Sequence, residues 1–196
     1  MSKRDSLRRR RPTRTPYPRI LIVSEGRVTE PGYFREMQRV ERRQVALNFE
    51  SGMTPKTAVE TAARMKGGYD EIWCVFDIDS HPLVPDAKQQ ARDNNIELAI
   101  SNPCFELWAV LHYQDQRAHI ERPKLRELCR RHMPGYKKRL PFLELFPHIE
   151  EAIRRAEELE QMHEGRGTGG ENPSTGVHRL IRSIRSHPPS FPRRDL

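Results

Sequence analysis

The segment Glu71-Ile72-Trp73-Cys74-Val75-Phe76-Asp77-Ile78-Asp79 decides the fold. Its unbroken apolar run, rich in β-formers and without polar alternation, describes a strand covered on both faces, as strands of a parallel sheet are. Upstream, Ile20-Leu21-Ile22-Val23 has the same character and ends at Ser24-Glu25-Gly26, while residues 45–50 alternate as a second strand. Downstream, Ile96-Glu97-Leu98-Ala99-Ile100 forms a fourth, broken by Ser101-Asn102-Pro103. Helical patterns fill the gaps. Thr29 is placed as an N-cap with Pro31 in the first turn, Thr54-Pro55 opens a second helix that Gly67-Gly68 stops, Ala87 and Ala91 mark a third, and residues 105–112 make a fourth. Four βα units in series predict an α/β fold: a four-stranded parallel sheet flanked by helices, with right-handed crossovers.

Past residue 115 the strand signal stops, and residues 124–132, 142–162 and 175–185 read as helices. The expected organisation is a basic disordered arm (1–18), an α/β domain (19–115), a helical annex packed on the same domain (116–186) and a flexible tail (187–196). With 196 residues the chain suffices for one domain, or one domain and an appendage. The mean hydropathy is −0.84, no apolar run approaches the ~18 residues of a membrane span, and no apolar segment follows the basic N-terminus as in a signal peptide. Three cysteines without a C-x-x-C pair support neither a disulfide framework nor a zinc ribbon, and a reducing cytoplasm fits best.

The net charge of +8 is unevenly spread. Residues 1–19 carry eight Lys and Arg against one Asp, leaving +1 for the rest. An arm containing Arg8, Arg9, Arg10 and Arg11 suits non-specific contact with nucleic acid through counterion release; a solvated tail has the same composition.

In an open α/β sheet, ligands bind outside the carboxyl ends of the strands. There this chain places Glu25 after strand one, Asp77 and Asp79 at the end of strand three, and Glu106 in the first turn after strand four. Asp77 and Asp79, two apart, share one side of an ideal strand. Converging carboxylates repel unless a proton or a divalent cation is shared, and an all-oxygen donor set selects Mg2+ or Mn2+. A strand-end acid alone also reads as a turn former or helix cap, and Glu106 gains from the helix dipole without any ligand. It is the recurrence at Glu25-Gly26, on another strand at the same edge, that favours a metal site as the expectation. The histidines lack zinc spacing, and Trp73 and Trp108 lie in apolar runs that read as core.

Glu-Gly after strand one and Asp-x-Asp after strand three resemble the Toprim domain of topoisomerases, primases and phage-defence nucleases. More narrowly, Val23-Ser24-Glu25-Gly26 with Thr29-Glu30, Trp73 to Asp79, Ser101-Asn102-Pro103-Cys104-Phe105-Glu106-Leu107-Trp108 and Asn172-Pro173-Ser174-Thr175 resemble the RloB-like (abortive-infection, AbiLii-type) family over residues 19–186. The resemblance implies a Toprim-like fold and a magnesium-dependent phosphoryl-transfer centre. It further implies a nuclease acting on DNA or RNA in bacterial anti-phage defence, encoded beside an ATPase partner. Glu25 matches the Toprim glutamate, general base or metal ligand, and Asp77 and Asp79 match its metal-binding pair. Glu106, Asn102, Asn172 and Thr175 belong to the narrower motif. A topoisomerase would need a tyrosine nucleophile in a further domain, and a primase would need zinc-binding and polymerase segments. Two rivals stand beside the nuclease. One is a non-catalytic subunit that binds nucleic acid or a phage component and signals to the ATPase. The other is an aspartate-nucleophile phosphatase, which also uses Asp-x-Asp but needs a later acidic pair; no Asp-Asp occurs in this chain.

Overall fold

A computed structural model describes residues 17–78 and 84–189. Arg8, Arg9, Arg10, Arg11 and Asp79, together with the end of the tail, lie outside the described residues. The chain is α/β, with a mostly parallel five-stranded sheet flanked by helices. Strands β1 (Arg19–Ser24), β2 (Ala46–Ser51), β3 (Glu71–Asp77), β4 (Glu97–Asn102) and β5 (Ser174–Thr175) lie in the order β2-β1-β3-β4-β5.

The unbroken apolar runs have the cause inferred from sequence. Ile20, Ile22, Trp73 and Val75 face one buried cluster, and Leu21, Val23, Ile72, Cys74 and Phe76 face another. The second face is covered by α2 (Pro55–Met65), through Ala58, Val59 and Ala62, and by α3 (Val84–Asp93), through Val84, Ala87 and Ala91. On the first lie α1 (Thr29–Glu41), α4 (Glu106–Leu111), α5 (Arg122–His132), α6 (Phe142–Leu145), α7 (Ile149–Arg166) and α8 (Val177–Ser186). One cluster therefore runs from Ile20 to Ile184, and the C-terminal helices complete the same core as the strands.

The structure departs from the sequence reading at three places. The fifth strand is a correction to the four-stranded sheet: Ser174 and Thr175, read as the start of a helix, pair antiparallel with Asn102 and Ser101, and α8 begins only at Val177. A two-residue strand has no periodicity to detect, and its pairing partner is 74 residues away. The helix expected over 142–162 is instead α6, a 3₁₀ turn over Phe146–His148 and α7, because Pro147 has no N–H to continue an α-helical ladder. Thr29 is inside α1, with Val28 at its N-cap. Thr54 does cap α2, its hydroxyl accepting from the Thr57 N–H at 3.4 Å.

Candidate acidic site

From β1 the chain crosses to β2 on one side, whereas from β3 it crosses to β4 on the other. This reversal opens a crevice beyond the carboxyl ends of β1 and β3, where sheets of this kind bind ligands. Glu25 and Asp77 stand there. The Glu25 N–H donates to Val75 O at 3.0 Å, extending the ladder by one residue, and Glu25 Oε2 accepts from the Asp77 N–H at 3.2 Å.

Two helices bring further acids. Glu30, in the first turn of α1, is 6% exposed, and its carboxylate lies so close over Gly26 that a Cβ there would fall 2.0 Å from Oε2. Gly26 is thus glycine because a buried carboxylate occupies the space of a side chain. Burial foremost, then Glu106 and Glu25, hold the Glu30 carboxyl above its ordinary range against backbone hydrogen bonds that lower it. Glu106 heads α4; its Oε1 accepts from the Tyr136 hydroxyl at 3.0 Å and lies 3.9 Å from Arg126 Nε.

Asp77 is the junction. Its Oδ1 accepts from the Phe105 N–H at 2.9 Å, capping α4 from a strand end, and its Oδ2 accepts from Arg122 Nη2 at 2.8 Å. Burial and then Glu30 push the Asp77 carboxyl well above its usual range; Arg122 opposes this, and Glu25 and Glu106 add to it. Beneath the acids, Tyr33 makes edge-to-face contacts with Phe105 at 5.9 Å and Phe142 at 5.0 Å between ring centroids. Those rings fix α1 against α4 and with them the Glu30 and Glu106 backbones.

Of the residues singled out in the sequence, the structure brings Glu25 and Glu106 close enough to act on the Asp77 carboxyl. Glu30 and Arg122 were given no role by the sequence reading. Glu30 carried a signal, five residues past Glu25 across a short strand-helix turn, but a first-turn acid is ordinary in a helix. Arg122 carried none, since only the fold returns α5 to the end of β3. The other motif residues serve as ties. Asn102 Nδ2 donates to Gly170 O at 3.0 Å. Asn172 clasps the backbone of Ile120, accepting from its N–H at 3.0 Å and donating to its carbonyl at 2.9 Å. The buried Thr175 hydroxyl bonds the Ser101 hydroxyl at 2.9 Å across β4 and β5.

The donor chemistry fits a hard divalent cation: only oxygen donors, at least two of them held above the carboxylate range by burial and mutual repulsion, which a shared cation relieves. Among the described residues no three Asp, Glu, His or Cys side chains already stand as a ligand set. Both Asp77 oxygens and Glu106 Oε1 are instead engaged by protein donors.

The protein is thus an α/β protein with a carboxylate cluster at the topological switch point of its sheet. The family model for RloB-like proteins matches residues 20–184, and the chain belongs to that family. No curated protein and no solved structure matches it. Among the described residues no helix is long and apolar enough to cross a membrane.

Proposed function

We propose that the acidic centre is a Toprim-type, divalent-cation-dependent phosphodiesterase that cuts DNA or RNA in anti-phage defence, working with an ATPase. The observation that carries this reading is the meeting of Glu25 and Asp77 across adjacent strands, with Glu30 and Glu106 closing on the same point. Glu25 and Asp77 are the residues to hold Mg2+ or Mn2+, with Asp79 assigned by its motif position. Bound there, the cation supplies charge neutralisation at the phosphoryl oxygens and a more acidic water. Glu25, at the end of β1, accepts the proton of the attacking water as that water's oxygen bonds to phosphorus and the phosphorus–oxygen bond to the leaving group breaks, the leaving oxygen taking its proton from solvent. The Arg122 guanidinium adds a fixed positive charge beside the phosphoryl group.

The test is cleavage of mixed DNA and RNA by the purified protein, with and without its neighbouring ATPase, in Mg2+, Mn2+ and EDTA. Cutting that requires the cation and is lost in both Glu25→Ala and Asp77→Ala is the expected result. A second reading, a non-catalytic subunit signalling to the ATPase, is favoured by one observation: Phe105 and Arg122 satisfy both Asp77 oxygens, as in a structural network. Under it, no condition gives cutting, and both variants retain ATPase binding.

A further inference from the structure

Outside the N-terminal arm, the net positive charge of this chain is densest in one segment. Residues 122–139 hold eight Lys and Arg against a single Glu, a net +7, while the remainder of residues 20–196 sums to −6. The fold returns this basic segment to the rim of the acidic centre. Arg122 pairs with Asp77 at 2.8 Å, and Arg126, one turn on, lies 3.9 Å from Glu106. Arg130 follows at the same spacing. Three arginines four residues apart form one ridge of α5, about 12 Å long at 1.5 Å per residue, that starts at the acids and runs outward.

The loop after α5 is held to the same rim. The Tyr136 hydroxyl donates to Glu106, and the Lys138 carbonyl accepts from the Thr29 hydroxyl at 2.9 Å, beside Glu30. Met133 and Leu140 anchor its ends in the core, at 1% and 5% exposure. Between them Lys137, Lys138 and Arg139 are exposed.

A charged helix face is usually just solvated, and α7 shows what that looks like: Arg154 bridges Glu151 and Glu158 on its own helix. On α5 only Lys124, Glu127 and Arg131 are so paired. Among the described residues Arg130, Lys137, Lys138 and Arg139 stand in no ion pair. Cations clustered and left unneutralised, beside a centre suited to phosphodiester chemistry, match a polyanion with regularly spaced charge.

We infer that α5 and its following loop form the track for the nucleic-acid backbone, with Arg126 and Arg130 on the helix and Lys137-Lys138-Arg139 in the loop holding phosphates at the rim of the acidic crevice, while Arg122 stays paired with Asp77. This rests on the reading of that crevice as a phosphodiester site, and it assigns the grip to the folded body rather than to the arm alone. The surface reads phosphate, so it takes DNA and RNA without base specificity.

The test is binding by the full-length protein in EDTA, where no cation-dependent turnover occurs. The probes are a fluorescein-labelled 30-nucleotide single-stranded DNA, the RNA of the same sequence and the DNA duplex, each titrated from 50 to 300 mM salt. With two phosphate contacts removed, Arg126→Gln/Arg130→Gln lowers the single-strand slope of log K against log salt by about 1.4, at about 0.7 per contact. Lys137→Gln/Lys138→Gln does the same. A charge-matched control on the far face, Arg64→Gln/Arg92→Gln, leaves the slope as in the wild type. Equal slopes for the track variants and wild type, a control that loses as much as they do, or a wild type that binds none of the probes overturns the inference. Similar loss on the single-stranded DNA and RNA probes supports a surface that reads phosphate, and loss confined to one of them overturns that reading. Track-dependent binding together with an absence of cutting under every condition removes the phosphodiesterase reading and leaves the track in place.

Discussion

Arg122 Nη2 lies 2.8 Å from Asp77 Oδ2, an ion pair between the first residue of α5 and the last residue of β3, 45 positions apart. Both side chains are mostly withdrawn from water, with relative exposures of 28% and 15%. The C-terminal helices therefore do more than complete the core: they supply the countercharge to a carboxylate that burial and three neighbouring glutamates drive toward its neutral form. Removing the guanidinium leaves that mostly buried carboxylate beside other acids without its countercharge. Arg122→Met is expected to lower stability by about 2 kcal/mol, and Asp77→Asn in the same chain to recover part of the loss. Urea denaturation of the two single variants and the double variant measures the coupling; additive effects would show that the pair contributes nothing.

Glu30 gives a pH-dependent prediction. Its folded-state carboxyl is held above the unfolded value, so the penalty for ionising it is absent below the unfolded range and grows as pH rises through the folded value. Glu30→Gln, which keeps the shape and loses the charge, is expected to raise the urea midpoint at pH 8 and to leave it unchanged near pH 4. Millimolar Mg2+ narrows the difference at pH 8 by stabilising the wild type more than the variant.

Gly26 is constrained by that same carboxylate. Since an added Cβ would sit 2.0 Å from Glu30 Oε2, Gly26→Ala forces Glu30 out of its place and costs about 2 kcal/mol, within the range for overpacking. Glu30→Ala removes the obstruction, so the double variant Gly26→Ala/Glu30→Ala is expected to be no less stable than Glu30→Ala alone. Thermal denaturation of the three variants reads this out.

His112 answers pH with the opposite sign. It is 2% exposed; its Nδ1 lies 2.8 Å from Trp108 O and its Nε2 3.4 Å from the Tyr33 hydroxyl, an arrangement for neutral imidazole. Burial, foremost, pushes its pKa down to about 4 from 6.5. Between those values the unfolded chain binds a proton that the folded one refuses, so stability is intact above pH 6.5 and falls by about 3 kcal/mol on going to pH 4. The acids with raised pKa act against this fall, so the contribution is isolated by comparison. His112→Gln is expected to be less sensitive to acid than the wild type in denaturation series from pH 7.5 to 4; identical profiles would contradict the assignment.

How much of this was legible in the sequence depends on how far a residue's signal reaches. The runs Ile20 to Val23 and Ile72 to Phe76 announce a sheet covered on both faces, and the order of βα units implies the edge at which Glu25 and Asp77 meet. Those are local patterns combined with a topological rule. Arg122 and the antiparallel strand at Ser174-Thr175 have no local signature, because each is defined by a partner far away in the chain. Glu30 shows the intermediate case. Its position in a first helical turn has an ordinary explanation, and only the fold shows that its carboxylate is buried, over a Gly26 that has no side chain to displace it. The same limit applies to charge: the N-terminal arm is obvious in composition, whereas the basic track on α5 emerges only once the fold sets it beside the acids.

The central claim, that Glu25 and Asp77 form a divalent-cation site, is tested most directly by titrating Mn2+ into the full-length protein and counting bound ions by electron paramagnetic resonance. The wild type is expected to bind Mn2+ in competition with Mg2+, with affinity at least about tenfold weaker in both Glu25→Gln and Asp77→Asn while both variants remain folded. A wild type that binds no Mn2+, or variants that bind it as tightly as the wild type, would contradict the account.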